Sequence, residues 1–414
     1  MSRKKSFLAA FLLLMFATSL AIAQESTPAY DITGVAWSSD GLYLAVANTS
    51  GHVTCWDFST RKPVWAWQGS SHGIITIAFD SQRHSFLVLE RFGHAILLSE
   101  KEGQVALDLE LDFGERDGRY VAGLSSGAFD DASETLALSG NIIPVVHVVN
   151  FRAIPNTPIK QTVALGSTYW RHPPFVKGVE KTSLVMSIKR TNASGIADLS
   201  VGATDDDTLT DLAICPGGNE AIGVTNAGWL VGWDLKSLGG DKTKYRRHVI
   251  ERSHDSNYLL DVRCGPNAQV VSTGTTEKYG TIQLWDGNEG VLSFSKDTDA
   301  HSLIEHGAVF SPDGSQLVTN GDLSYIWWEI QSSKLKEVAV LYHSGSGAPN
   351  ELRSNFAFRP NGNVVALSEG TVLILVNIAK KDVSCFADDC GKELPKLRMV
   401  DDGASAQKPL GNLY

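Results

Sequence analysis

An all-β ring of eight four-stranded blades, a β-propeller, is the fold class this sequence predicts, with seven blades as the alternative. Three observations predict it. A strand-like unit recurs roughly every 40 to 50 residues, the period of a propeller blade. Tight turns of the Ser-Pro-Asp-Gly kind separate short apolar runs. Gly, at 38 residues, and clusters of turn residues interrupt the chain so often that few windows hold an apolar stripe at helical spacing.

The N-terminus comes first. Arg3, Lys4 and Lys5 precede an apolar run from Phe7 to Ile22, which ends in Ala21-Ile22-Ala23 ahead of Gln24. Basic, apolar and cleavable segments in that order form a secretory signal peptide. The apolar run is short for a bilayer core that needs about 20 residues, so cleavage is expected rather than anchoring, and no Cys stands at the cleavage site to carry a lipid. The expected division is a leader over residues 1–23, a single propeller domain over 24–390 and a flexible tail over 391–414, where charges, Pro, Gly and Ser mix with little apolar pattern. The expected localisation is secreted or periplasmic, with no membrane anchor after cleavage.

Without the three basic leader residues, 33 Lys and Arg face 46 Asp and Glu, a net charge of −13. So acidic a surface repels phosphate backbones, which argues against nucleic acid as a partner. The one basic cluster, Lys244-Tyr245-Arg246-Arg247-His248, reads as a solvated inter-strand loop. Five cysteines are too few to build the fold by disulfides, and the odd count leaves at least one unpaired within the chain. Cys385 and Cys390 are close enough in sequence to close a small loop in an oxidising compartment. Cys215 and Cys264 read as matching positions in neighbouring repeats rather than as a bridge. No C-x-x-C pair supports thiol redox or zinc chemistry.

The repeating unit is an apolar strand, a tight turn, a second strand, a Gly-containing turn and a third strand ending near Trp. Its clearest turns are Trp37-Ser38-Ser39-Asp40-Gly41, Phe310-Ser311-Pro312-Asp313-Gly314 and Phe358-Arg359-Pro360-Asn361-Gly362. Asp-Gly or Asn-Gly between apolar runs signals a hairpin, because Gly takes positive φ without a Cβ clash. Fainter copies begin near Phe79, Phe129, Phe175, Ile214 and Arg263. The eight anchors are 42, 50, 46, 39, 49, 47 and 48 residues apart, the unit from His172 to Asp205 being the shortest and least regular. Segments such as Ile74 to Phe79 and Thr371 to Ile378 read as strands rich in β-branched residues. A four-stranded sheet cannot bury both faces alone, and stacking blades in a closed ring does so.

Ile282-Gln283-Leu284-Trp285-Asp286, Val53-Thr54-Cys55-Trp56-Asp57 and Leu230-Val231-Gly232-Trp233-Asp234 resemble the third strand of a WD repeat with its closing Trp-Asp pair, and Trp328-Glu329 resembles a variant of it. Through these residues the chain resembles the WD-repeat β-propeller family. In the best-matching unit His301 lies nine residues before Phe310, followed by Thr319, Asp322 and Trp328. The resemblance implies that these four form a buried structural network, in which His bridges Asp and a hydroxyl and the indole finds an acceptor, rather than a catalytic triad. His254 fits the same role one unit earlier.

Metal-dependent propeller enzymes bring carboxylates and amides to the central channel, yet strand-entry positions such as Ile32, Ile74 and Leu212 show no repeated acidic or amide residue. Asp205-Asp206-Asp207 reads as a solvated loop rather than a calcium site. H-E-x-x-H, G-x-S-x-G and P-loop spacings do not occur. Asn48-Thr49-Ser50 and Asn192-Ala193-Ser194 are glycosylation sequons. The function expected is a non-catalytic platform, a monomer without cofactor or metal, that binds a protein or peptide; a metal-assisted hydrolase or lactonase is the alternative. Loops joining second to third strands, and one blade to the next, gather on one face of a propeller. By the strand count Arg91, Trp170, Arg190 and Lys278 fall in those loops, and Arg and Trp are types enriched at binding hot spots.

Overall fold

A computed structural model describes residues 31–71, 73–112, 115–116, 119–120, 124–140, 145–154, 160–164, 196–200, 209–226, 228–235, 243–248, 258–276, 279–298, 305–342, 356–369, 371–386 and 394–400 of the 414. They form a seven-bladed β-propeller. Each blade is an antiparallel meander whose first strand lies innermost. The inner strands are Ile32–Trp37, Ile74–Asp80, Leu124–Asp130, Leu209–Ile214, Tyr258–Cys264, Glu305–Phe310 and Phe356–Phe358, defining blades 1 to 7.

The ring therefore has seven blades and not the favoured eight. The units anchored at Phe129 and Phe175 are one blade, spread over the 85 residues from Phe129 to Ile214. Its third strand, Val145–Asn150, pairs with an outer strand, Ile196–Ser200. The long connection between them sends Lys160–Ala164 away to lie parallel on Val105–Asp112, the outer strand of blade 2. Phe175 itself lies outside the described residues. Blade 6 also gains a fifth strand: Leu397–Met399 pairs with Lys334–Tyr342, and Val400 N–H donates to Val338 O over 2.9 Å. That strand falls in the segment expected to be a tail. The basic run around Lys244 is likewise no loop, since Thr243–His248 is the outer strand of blade 4.

The turns follow from the sequence. Gly41, Gly314 and Gly362 hold φ of 69°, 70° and 71°, so three first-to-second turns share one left-handed geometry that glycine accepts without strain. In two of them a serine locks the turn, Ser38 Oγ donating to Asp40 Oδ1 and Ser311 Oγ to Asp313 Oδ1, both over 2.6 Å. A second regularity was invisible in the sequence. Six inner strands carry a bulge at the same place, at Thr33, Ile75, Ser125, Thr210, Leu260 and His306, where the register to the second strand slips by one.

The core lies between blades, where alternate side chains of facing sheets meet. Each seam adds its own fastener. Between blades 1 and 2, Trp65 Nε1 donates to Glu100 O at 2.8 Å. Arg83 of blade 2 binds Glu134 and donates to Phe151 O of blade 3. Ser126 of blade 3 donates to Asp211 of blade 4. A disulfide joins Cys215 of blade 4 to Cys264 of blade 5, contrary to the expectation of two unbridged cysteines. Lys296 meets Glu337 at 3.3 Å between blades 5 and 6, and Tyr325 Oη donates to Ser368 O between blades 6 and 7.

Among the described residues, blades 7 and 1 meet without exchanging a strand. Trp37 Nε1 donates to Ala357 O at 3.1 Å, Arg359 Nε donates to Gly41 O at 3.0 Å, and the Arg359 guanidinium lies 4.2 Å from the Phe58 ring centre. Ile32, Trp37 and Leu44 share a buried cluster there with Leu375 and Phe386. Cys385 is also disulfide-bonded; its expected partner, Cys390, lies outside the described residues.

Candidate functional site

In a four-stranded meander the second-to-third turns and the blade-to-blade connections lie at one end of the sheet, and the other two turns lie at the opposite end. All inner strands run the same way round the ring, so the two sets of loops form two faces. The face of the second-to-third turns carries Arg91 and Phe92 in blade 2, Tyr279 in blade 5 and the Asp322-Leu323 turn in blade 6. Phe92 is 54% exposed, Leu323 40% and Tyr279 36%, three of the eight large apolar side chains exposed among the described residues. Leu42 is on the opposite face, and the other four are on outer strands.

These side chains stand on fixed backbone. Arg91 N–H donates to Gly73 O at 3.2 Å, and Arg91 O accepts from Leu124 N–H of blade 3 at 2.6 Å, so the turn is tied to two inner strands while the guanidinium is exposed. Tyr279 is clamped by Thr276, whose backbone N–H donates to Tyr279 O at 2.7 Å and whose hydroxyl donates to the same oxygen at 2.9 Å. In blade 1 the corresponding turn is built on Asn48, whose Oδ1 accepts from Ser50 N–H, Ser50 Oγ and His52 N–H. The amide of that sequon is thus part of the turn.

Of the four predicted binding positions, Arg91 is where the strand count put it. Lys278 lies outside the described residues, between Thr276 and Tyr279. Trp170 and Arg190 also lie outside them. Phe92, Tyr279 and Leu323 were missed; the signal was a large apolar residue inside an otherwise polar turn.

The inner strands hold a polar cluster that was also missed. The residue after the bulge is Asp211 in blade 4 and Asp261 in blade 5. Asp211 Oδ2 accepts from Val262 N–H at 3.2 Å and from Arg263 Nη1 at 2.7 Å, and Asp261 Oδ2 accepts from Ala308 N–H at 3.0 Å. Arg263 Nη2 lies 2.6 Å from Asp261 Oδ1. Burial works against the Arg263 charge, but Asp261 and Asp211 outweigh it and hold the guanidinium above its ordinary pKa. Both carboxylates thus take backbone N–H groups of the next blade and share one cation, an arrangement that fastens inner strands. The position two residues on is Ala36, Ala78, Ala128 and Ala213 in blades 1 to 4, so Arg263 extends where its counterparts are small.

In the predicted structural network, Trp328 Nε1 donates to Thr319 Oγ1 over 3.1 Å, both side chains buried. Blade 5 repeats the bond from Trp285 Nε1 to Ser272 Oγ at 3.0 Å. Asp322 is half-buried in the adjacent turn. His301 and His254 lie outside the described residues, as do Asp205, Asp206 and Asp207.

No protein-family model and no curated protein matches this sequence. Among solved structures, the chain is similar to one chain of the crystal structure of the mitotic checkpoint complex, at 13% identity and a TM-score of 0.56, over 86% of this chain and 94% of that one. At that identity the similarity shows the fold, a WD40-like β-propeller.

Proposed function

We propose that this chain is an exported, divergent WD-repeat propeller that acts as a monomeric, non-catalytic platform for a protein or peptide ligand, bound on the face of the second-to-third turns. The observation that carries it is the exposure of Phe92, Tyr279 and Leu323 on the same face of the ring as Arg91, whose turn is tied to the inner strands. Aromatic, apolar and Arg side chains on a rigid support suit a binding surface, because little freedom is lost when they are covered. The similar chain belongs to a complex, in keeping with a binding role. Export is supported by the N-terminal leader and by two features that need an oxidising compartment, the Cys215–Cys264 bridge and the bonded Cys385. A photo-crosslinking side chain installed at Phe92 or Tyr279 tests the reading in the native source. Adducts are expected from those two positions and not from Leu42; adducts from Leu42 alone would overturn it.

A further inference from the structure

A blade's outer strand presents a row of backbone N–H and C=O groups that a further strand can pair. This chain fills two such edges itself, with Lys160–Ala164 on blade 2 and Leu397–Met399 on blade 6. Both added strands sit beyond the same irregularity. In blade 2 the outer strand slips register between Val105 and Leu107, and the added pairs begin at Asp108; in blade 6 it slips between Glu337 and Ala339, and the added pairs run from Ala339 to Leu341.

Other edges carry features that discourage pairing. Blade 1 opens with Lys62-Pro63, and proline offers no N–H. Blade 4 carries Lys244, Arg246 and Arg247, blade 3 has five residues including Asp198, and blade 7 has four beginning with Asp382. Blade 5 differs. Its outer strand, Val291–Asp297, has seven residues and no proline, with Val291 46% and Leu292 40% exposed. Its one lysine, Lys296, is turned aside to Glu337 and lies 4.8 Å from the Trp328 ring centre. The register slips between Leu292 and Phe294, so Phe294–Asp297 corresponds to the stretch filled in blades 2 and 6. Asp286, the last residue of the third strand, and Glu289, in the turn that leads into the outer strand, are both exposed and leave this edge acidic.

We propose that the edge of blade 5 over Phe294–Asp297 takes an extended segment of a partner protein by β-strand addition, the segment alternating apolar and polar residues and carrying a basic residue toward Asp286 and Glu289. Main-chain hydrogen bonds supply the affinity, and Val291, Leu292 and the acidic turn supply the preference. This surface is separate from the loop face.

The probe is a short labelled peptide of alternating valine and threonine flanked by lysine, titrated into the full-length protein by fluorescence anisotropy with amide hydrogen exchange read alongside. Saturable binding is expected, with slowed exchange over Phe294–Asp297. Affinity should fall about tenfold when glutamate replaces the lysines or when Val291→Ser and Leu292→Ser are combined, and be lost when alternate peptide nitrogens are methylated. An unchanged melting temperature in the double variant keeps that comparison valid. Absence of saturable binding, equal binding of the methylated peptide, or protection of another strand would overturn the proposal. A dimer of the protein alone that protects Phe294–Asp297 would assign the edge to a second copy and overturn it equally.

Discussion

Cys215 and Cys264 join neighbouring blades although they stand one register apart. Cys264 lies opposite Val270, and the residue so placed in blade 4 is Ile214, opposite Ala221. Successive strand residues face opposite sides of a blade. Ile214 packs against blade 3, so Cys264 faces back to blade 4 while Cys215, one residue further on, faces forward to blade 5. Cysteines at equivalent positions would face the same way round the ring and could not meet. Replacing both by Ala is expected to cost about 2–4 kcal/mol, typical of a bridge closing a loop of this length, seen as a lower denaturant midpoint. An unchanged midpoint would contradict the bond.

Cys55 is buried and its thiol unbridged, and burial followed by the nearby Glu100 carboxylate pushes it up to about 12. Native protein should therefore react slowly with a thiol reagent at mildly alkaline pH and quickly once unfolded. The folded state holds this proton more tightly than the unfolded chain, so its contribution to stability is complete below about 9 and is lost as pH rises toward about 12. Thiol titration against pH, with and without denaturant, checks both statements; rapid native labelling would contradict them.

Thr319→Val removes the acceptor of a buried indole and is expected to destabilise by about 1–3 kcal/mol, with Thr319→Ser restoring most of it. His301→Ala should weaken folding in the same range if His301 completes the network with Asp322. Melting temperatures of the three variants provide the check, and equal values for Val and Ser at position 319 would remove the hydrogen bond from the explanation.

Asp211→Ala leaves Arg263 with one carboxylate and Val262 N–H without its acceptor, and should cost about 3–5 kcal/mol. Asp211→Asn retains a neutral acceptor and should cost less. Equal thermal stability of the Ala variant and the wild type would show that this cluster does not hold blades 3, 4 and 5 together.

Local geometry was legible in the sequence. Asp40-Gly41, Asp313-Gly314 and Asn361-Gly362 mark turns because the backbone there needs positive φ. The blade count was not, because the strand Lys160–Ala164 pairs outside its own blade and a non-local pairing leaves no trace in a local period. The inner-strand acids escaped for a related reason. A bulge adds a residue to the strand, so a count by strict alternation slips by one face. Leu212 stands one residue past the acid, Asp211, that Asp261 repeats in blade 5. The cysteines looked matched because the first-to-second turn is one residue longer in blade 4 (Ile214 to Ala221) than in blade 5 (Cys264 to Val270).

The most direct test of the loop face as the ligand-binding surface is the affinity of a captured partner for the wild type and for a variant combining Arg91→Ala, Phe92→Ser, Tyr279→Ser and Leu323→Ser. All four side chains are at least partly exposed and their backbone contacts survive the substitutions, so the melting temperature should stay unchanged. Binding should fall at least about tenfold, since truncating a few central anchors removes most of an interface's energy. Full binding by a folded variant would contradict a platform that works through this face.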